Sequence, residues 1–258
     1  TVNQDVYTTE SASFDSRIIA ASGSTINTGS FATTGSNSFS GSQIITGSMT
    51  SSLDIKVAGV KMGFGNQSGS HTVAIGTSTL VNNTGADSTA IGYQSLQNNT
   101  SGNENTAVGY NALNVLTTAQ RNTAIGGDAG RDNTGDNNVF IGWTAGMQSA
   151  GGIGNVIIGN STARSVKSNY NTIVGETAGF YLTSGSSNTF VGQAAGVDVG
   201  SGSSNTFVGQ NAGRNISGSY NTLIGGAKGV GNWSNVIALS DGAENIRAIY
   251  NSGWVFTG

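Results

Sequence analysis

The stretch Ser186-Ser187-Asn188-Thr189-Phe190-Val191-Gly192-Gln193, SSNTFVGQ, returns unchanged at 203–210. Two bulky apolar residues, Phe190 and Val191, stand side by side in it, where a half-buried strand would alternate apolar with polar. Working outward, the glycine that closes each N-T-x-[IV]-G unit recurs at Gly76, Gly92, Gly109, Gly126, Gly142, Gly159, Gly175, Gly192, Gly209 and Gly225, always at an interval of 16 or 17 residues. So little drift over ten units implies one structural coil per unit, because an inserted residue in a stacked array would displace every side chain above it.

The residue before each marker glycine is Ile or Val, from Ile75 to Ile224, and β-branched residues fit a pleated strand. The residue before that is apolar too: Ala74, Ala90, Ala107 and Ala124 in early units, Phe140, Ile157, Ile173, Phe190, Phe207 and Leu223 in later ones. Neighbouring strand residues face opposite ways, so both faces of each strand are expected to be buried. A coil of this length has one interior and no second layer, and the simplest source of the other core is another copy of the chain. The expectation is all-β: a narrow parallel β-roll of about ten 16–17-residue coils, associating as a homo-oligomeric fibre packed around a common axis. In it the Ile/Val row and the Thr row that shares its parity (Thr89, Thr106, Thr123, Thr172, Thr189, Thr206, Thr222) point into the coil. The row Phe140, Ile157, Ile173, Phe190, Phe207 and Leu223 is assigned to the interface between subunits. An inward Thr row could not bind ice.

Asn opens the strand at Asn105, Asn122, Asn138, Asn155, Asn171, Asn188, Asn205 and Asn221, the pattern of an amide ladder bonding coil to coil. A second small-residue motif, A-G, follows the marker at 129–130, 145–146, 178–179, 195–196 and 212–213, its glycine replaced by Leu80, Leu96 and Leu113 in three early units. Small residues allow close backbone approach.

Three segments emerge. Residues 1–58 are Ser/Thr/Gly-rich and too poor in apolar residues to order alone, which predicts an extended fibrous segment intertwined with its partners. Residues 59–232 carry the repeat roll, and 233–258 form a cap in which Trp233, Ile246, Ile249, Tyr250, Trp254 and Phe256 close the stack, as repeat arrays require.

Composition agrees with a fibre. Charged residues are 9% of the 258, with 41 glycines and no proline or cysteine, against roughly 25% charge in ordinary soluble domains; a charge at a repeat position would be stacked and then multiplied by symmetry. The net charge of −3 gives no basic footprint for nucleic acid or anionic membrane, and without cysteine there are neither disulfides nor thiolate chemistry. There is no apolar run of membrane-spanning length and no signal-peptide pattern at the start, so the chain reads as soluble and as making no membrane insertion. Beginning without Met, it reads as a fragment or processed product of something longer.

The units NTAVGYNAL, NTAIGGDAG and NTFVGQAAG, the lead-in FATTGSNSFSGSQIITGSMT and the ending NVIALSDGAENIRAIYNSG resemble the repeat regions of bacteriophage tail-fibre proteins, of the kind preceding an intramolecular chaperone domain. The resemblance implies a homotrimer in the virion tail of a phage or phage-tail-like particle, with other tail or baseplate proteins and a host-surface glycan or protein as partners. Similar S-x-A-I-G repeats form the β-roll heads of trimeric autotransporter adhesins, which gives a bacterial surface adhesin as the alternative; a purely structural shaft is the third. The chaperone domain is absent from these residues; if a longer gene encodes one, it is expected to have been cleaved off or to lie beyond residue 258.

Enzyme activity, cofactor and metal are not expected. The densest acidic cluster, Asp128, Asp132 and Asp136, reads as a solvated turn rather than the paired carboxylates of a polysaccharide hydrolase or a Ca²⁺ turn. His71, the only histidine, has no carboxylate near it in sequence to share a metal. For receptor binding the candidates are aromatics at turns: Tyr93, Tyr110 and Trp143 directly after marker glycines, and Tyr170, Tyr181 and Tyr220 in the links, since exposed rings suit sugar faces. The competing reading is that they pack on a neighbouring coil or chain.

Overall fold

The computed structural model describes residues 55–57, 60–63, 71–229, 231–241, 245–251 and 253–256. All lie in the compact unit Thr50–Gly258. The expected N-terminal fibrous segment falls almost entirely outside the described residues.

The described residues contain strands and turns and no helix. The strands are β1 (Ile55–Val57), β2 (Val60–Gly63), β3 (Val73–Ile75), β4 (Thr89–Ile91), β5 (Thr106–Val108), β6 (Thr123–Ile125), β7 (Val139–Ile141) and β8 (Val156–Ile158). They continue as β9 (Thr172–Val174), β10 (Thr189–Val191), β11 (Thr206–Val208), β12 (Thr222–Ile224), β13 (Ile237–Ser240), β14 (Ile246–Tyr250) and β15 (Trp254–Phe256). All fifteen join one sheet in sequence order. From β3 to β13 the pairing is parallel and in register, Thr189 opposite Thr206, Phe190 opposite Phe207 and Val191 opposite Val208. The repeat read from the glycines is thus a parallel β-solenoid with one rung per unit. At about 4.8 Å per rung, the ten steps from β3 to β13 span roughly 48 Å.

The marker glycine is dictated by two constraints. Gly192 has φ +136, open to glycine alone, and a Cβ there would lie 2.4 Å from the carbonyl oxygen of Gly209 on the next rung. Backbone presses on backbone, so no side chain can yield.

The middle strand residue points into the coil, and there the structure corrects the expected faces. Ala74, Ala90, Ala107, Ala124, Phe140, Ile157, Ile173, Phe190 and Phe207 have no exposed surface, and Leu223 has 1%. They form one continuous interior core; Phe190 stacks on Phe207 at 5.1 Å and 7°. The row assigned to the subunit interface, Phe140, Ile157, Ile173, Phe190, Phe207 and Leu223, is therefore sealed inside its own chain. The Ile/Val and Thr rows, expected inside, turn outward instead. The physical reason is volume. Opposite Ala74, Ala90 and Ala107 the turn supplies a Leu (Leu80, Leu96, Leu113, all fully buried). Ala124 faces Gly130, whose space the Phe140 ring of the next rung takes, a Cβ there lying 2.5 Å from it. Opposite Phe the turn supplies glycine: Cβ atoms at Gly146, Gly196 and Gly213 would stand 2.3, 2.6 and 2.2 Å from ring atoms of Phe140, Phe190 and Phe207. Large strand residue with glycine, or small strand residue with leucine, fills the same narrow interior.

The Asn ladder closes one corner. From Asn105 to Asn205 each amide oxygen accepts from the backbone N–H of the next Asn, as Asn171 Oδ1 does from Asn188 N at 2.9 Å and Asn188 Oδ1 from Asn205 N at 3.0 Å, and Asn221 Oδ1 ends the ladder on Val236 N at 3.1 Å. Side-chain amides also link the rungs, from Asn122 to Asn105 at 3.2 Å and Asn188 to Asn171 at 3.0 Å, while Asn188 Nδ2 donates onward to the Gly202 carbonyl at 2.9 Å. Buried amides so fully partnered fix the register. A second corner, unremarked in the sequence, starts as another amide step, Asn99 Nδ2 donating to Asn83 Oδ1 at 2.6 Å, alternates through Leu116, Asn133 and Ser149, and is apolar from Val166 through Leu182 and Val199 to Ile216.

Both ends are closed by reversal of strand direction. β1, β2 and β3 pair antiparallel; β13 continues the parallel stack past residue 232, and β14 and β15 then pair antiparallel. Of the expected cap residues, Trp233, Ile246 and Ile249 pack on the core, Tyr250 is 38% exposed, and the side chains of Trp254 and Phe256 lie outside the described residues.

Candidate functional site

Because a solenoid repeats, a residue type at one position of the unit becomes a row along the axis, and candidate sites are best sought as rows. The first is the outer face of the sheet. Its leading row is Val73, Thr89, Thr106, Thr123, Val139, Val156, Thr172, Thr189, Thr206, Thr222 and Ile237; its trailing row runs from Ile75 to Leu239 and is Ile, Val or Leu throughout. No residue in either row is charged. Val73, Ile125, Val191, Ile224 and Leu239 are 38–44% exposed. Threonines lie outward here, which removes the geometric reason against ice contact, but Val139 and Val156 break the hydroxyl row in the middle.

The second row follows the marker glycines and carries the aromatic candidates. Tyr93 and Tyr110 stack on each other at 5.6 Å and 11°, so their inner faces are already covered. Trp143 folds back over Gly127, where a Cβ would lie 2.6 Å from its ring. Further along the same edge the row becomes polar: Gln193 Nε2 donates to Glu176 Oε2 at 3.1 Å and Gln210 Nε2 to Gln193 Oε1 at 2.8 Å.

The remaining aromatics are not gathered with these. Tyr170 and Tyr220 occupy the left-handed corner before the Asn ladder, at φ 59° and 62°, Tyr170 lying across Gly154. Tyr181 meets Phe180 edge to face at 4.9 Å and 81° and lines a groove of 540 Å³ over rungs β9 to β11, together with Gln193, Gln210, Asp198 and Arg214. Sequence reading singled out Tyr181 but not the Gln row or the Asp198–Arg214 pair, whose signal was the 16–17-residue spacing itself.

The acidic cluster is occupied internally. Arg131 donates to both oxygens of Asp132 at 2.8 and 2.9 Å and approaches Asp128 at 3.9 Å; the Asp132 hydrogen bond raises the guanidinium pKa above its ordinary value. Asp128 also accepts from Asn111, and Asp136 from the Gln120 backbone at 2.9 Å. His71 does have a carboxylate neighbour, contrary to expectation: Asp87, one coil on, at 3.0 Å from Nδ1. Among the described residues no group of three or more His, Cys, Asp or Glu is placed to hold a metal, and no helix is long and apolar enough to cross a membrane.

No protein family, curated protein or solved structure matches the chain.

Proposed function

We propose that the chain is a segment of a homotrimeric tail fibre of a phage or phage-tail-like particle that attaches it to a host cell surface. The observation that carries this reading is the uncharged ribbon of Thr/Val and Ile/Val rows facing outward on every rung from β3 to β13. A contiguous apolar surface running the length of a stack is an association surface, and identical copies that turn one edge-to-edge ribbon toward a common axis close the assembly. The seam is thus the Ile75-to-Leu239 row and its Thr partners, in place of the Phe row. Three comes from the tail-fibre resemblance. Attachment then works by rigidity and by avidity, with weak contacts made three times reinforcing one another through effective concentration.

Labelled chain mixed with a panel of bacterial strains tests attachment: strain-selective cell binding supports it, and binding to none leaves the structural shaft. An adhesin head is separated by gene context, since it needs a signal peptide and membrane anchor in the same reading frame rather than neighbouring tail genes.

A further inference from the structure

The structure assigns a carbohydrate site to the groove over rungs β9 to β11, and we propose that its ligand is a neutral oligosaccharide lying along the solenoid axis. The inference sits within the attachment reading and names the surface that would make the contact.

The groove follows from the order of rows around the coil. Its floor is the row Thr177, Ala194 and Asn211, where Ala194 sits at φ +54, a left-handed position that most other coils fill with a longer polar side chain. Alanine there lowers the floor. One wall is the Gln193–Gln210 amide ladder; the other is Phe180 and Tyr181, followed along the axis by Val197 and Arg214. No packing demand accounts for the aromatic pair: the equivalent positions in other coils hold Arg131-Asp132, Met147-Gln148 and Arg164-Ser165, and Tyr181 is 59% exposed.

The chemistry of the two walls selects the ligand class. Each Gln uses one N–H in the ladder and keeps a second, and the carboxamide oxygens accept, so that wall offers alternating donors and acceptors to vicinal hydroxyls, which both donate and accept. Opposite it, ring faces suit the C–H face of a pyranose. The charges among the lining residues are Asp198 and Arg214, which face each other at 3.9 Å and offset one another. An anionic ligand would find no net counter-charge; the one further charge beside the groove, the Glu176 carboxylate at the end of the Gln wall, is engaged by Gln193 at 3.1 Å, so a neutral ligand loses nothing. The volume of 540 Å³ falls in the range of small-molecule sites, and the three rungs span roughly 10 Å along the axis.

The test is a printed array of neutral, acidic and amino-sugar oligosaccharides probed with the full chain, beside Tyr181→Ala, Tyr181→Phe, Gln193→Ala and Tyr93→Ala, each checked for unchanged circular dichroism and oligomeric state. Expected is binding confined to neutral sugars. It should fall by about tenfold in Tyr181→Ala and Gln193→Ala, persist in Tyr181→Phe, which keeps the ring, and persist in Tyr93→Ala, which lies outside the groove. Binding only to charged sugars, equal loss in Tyr93→Ala, or no loss in the groove variants overturns the assignment. An empty array from a chain that still binds cells overturns the groove and spares the attachment reading; failure in both assays overturns both.

Discussion

Truncating Phe140 to Ala empties the interior of rung β7, where the ring is fully buried and fills the space left by Gly130 and Gly146. Losing a buried phenylalanine costs about 3–5 kcal/mol. Gly146→Leu alone drives a Cβ to within 2.3 Å of the Phe140 ring at a residue with φ +57, for about 1–3 kcal/mol of overpacking and about 1 kcal/mol of left-handed strain. Together the two changes recreate the Ala107/Leu113 pairing found two rungs earlier, in which leucine occupies a left-handed position at φ 49. The double variant is therefore predicted to be at least about 2 kcal/mol more stable than the sum of the single effects. Urea unfolding followed by far-ultraviolet circular dichroism, at one fixed chain concentration so that the association state is held constant, supplies the cycle. Additivity within about 0.5 kcal/mol would refute the claim that strand and turn share one interior volume.

Asn188→Ala leaves the Asn205 N–H and the Gly202 carbonyl unpartnered in a sealed corner, and a loss of about 3 kcal/mol is expected in the same unfolding assay; Asn188→Asp should cost more, since it buries a charge between amides. Gly192→Ala collides with the Gly209 backbone and is predicted to abolish the folded stack, read as loss of the β spectrum and of soluble yield. Thermal hysteresis should be absent although the threonines face outward, because the proposed seam would cover them; measurable hysteresis would mean that the ribbon is free in solution.

Ten of the eleven parallel rungs were legible because Gly76 to Gly225 announce them, and the Asn ladder because an amide repeated at the head of each strand has little else to do. Which strand face lies inside was not legible from parity, since Phe190 and Val191 are both apolar and two-residue alternation is symmetric between the faces. The deciding signal sat elsewhere in the unit: Leu80, Leu96 and Leu113 accompany strand alanines, whereas Gly146, Gly196 and Gly213 accompany phenylalanines. That reciprocity marks a shared interior and is visible only when strand and turn are compared within each coil. The eleventh rung, β13, escaped notice because Ser240 stands where the marker glycine belongs and follows Gly225 after 15 residues. For the groove, Gln193 and Gln210 are unremarkable alone; the spacing that stacks them on Glu176 is what makes a wall.

The outward ribbon is most directly tested by sedimentation equilibrium. The wild-type chain is predicted to run at three times its mass of 25.9 kDa, and Ile125→Glu with Val191→Glu, placed at two exposed ribbon positions, is predicted to give a monomer that keeps its β spectrum. A well-folded wild-type monomer, or a charged variant that still forms the trimer, would contradict it.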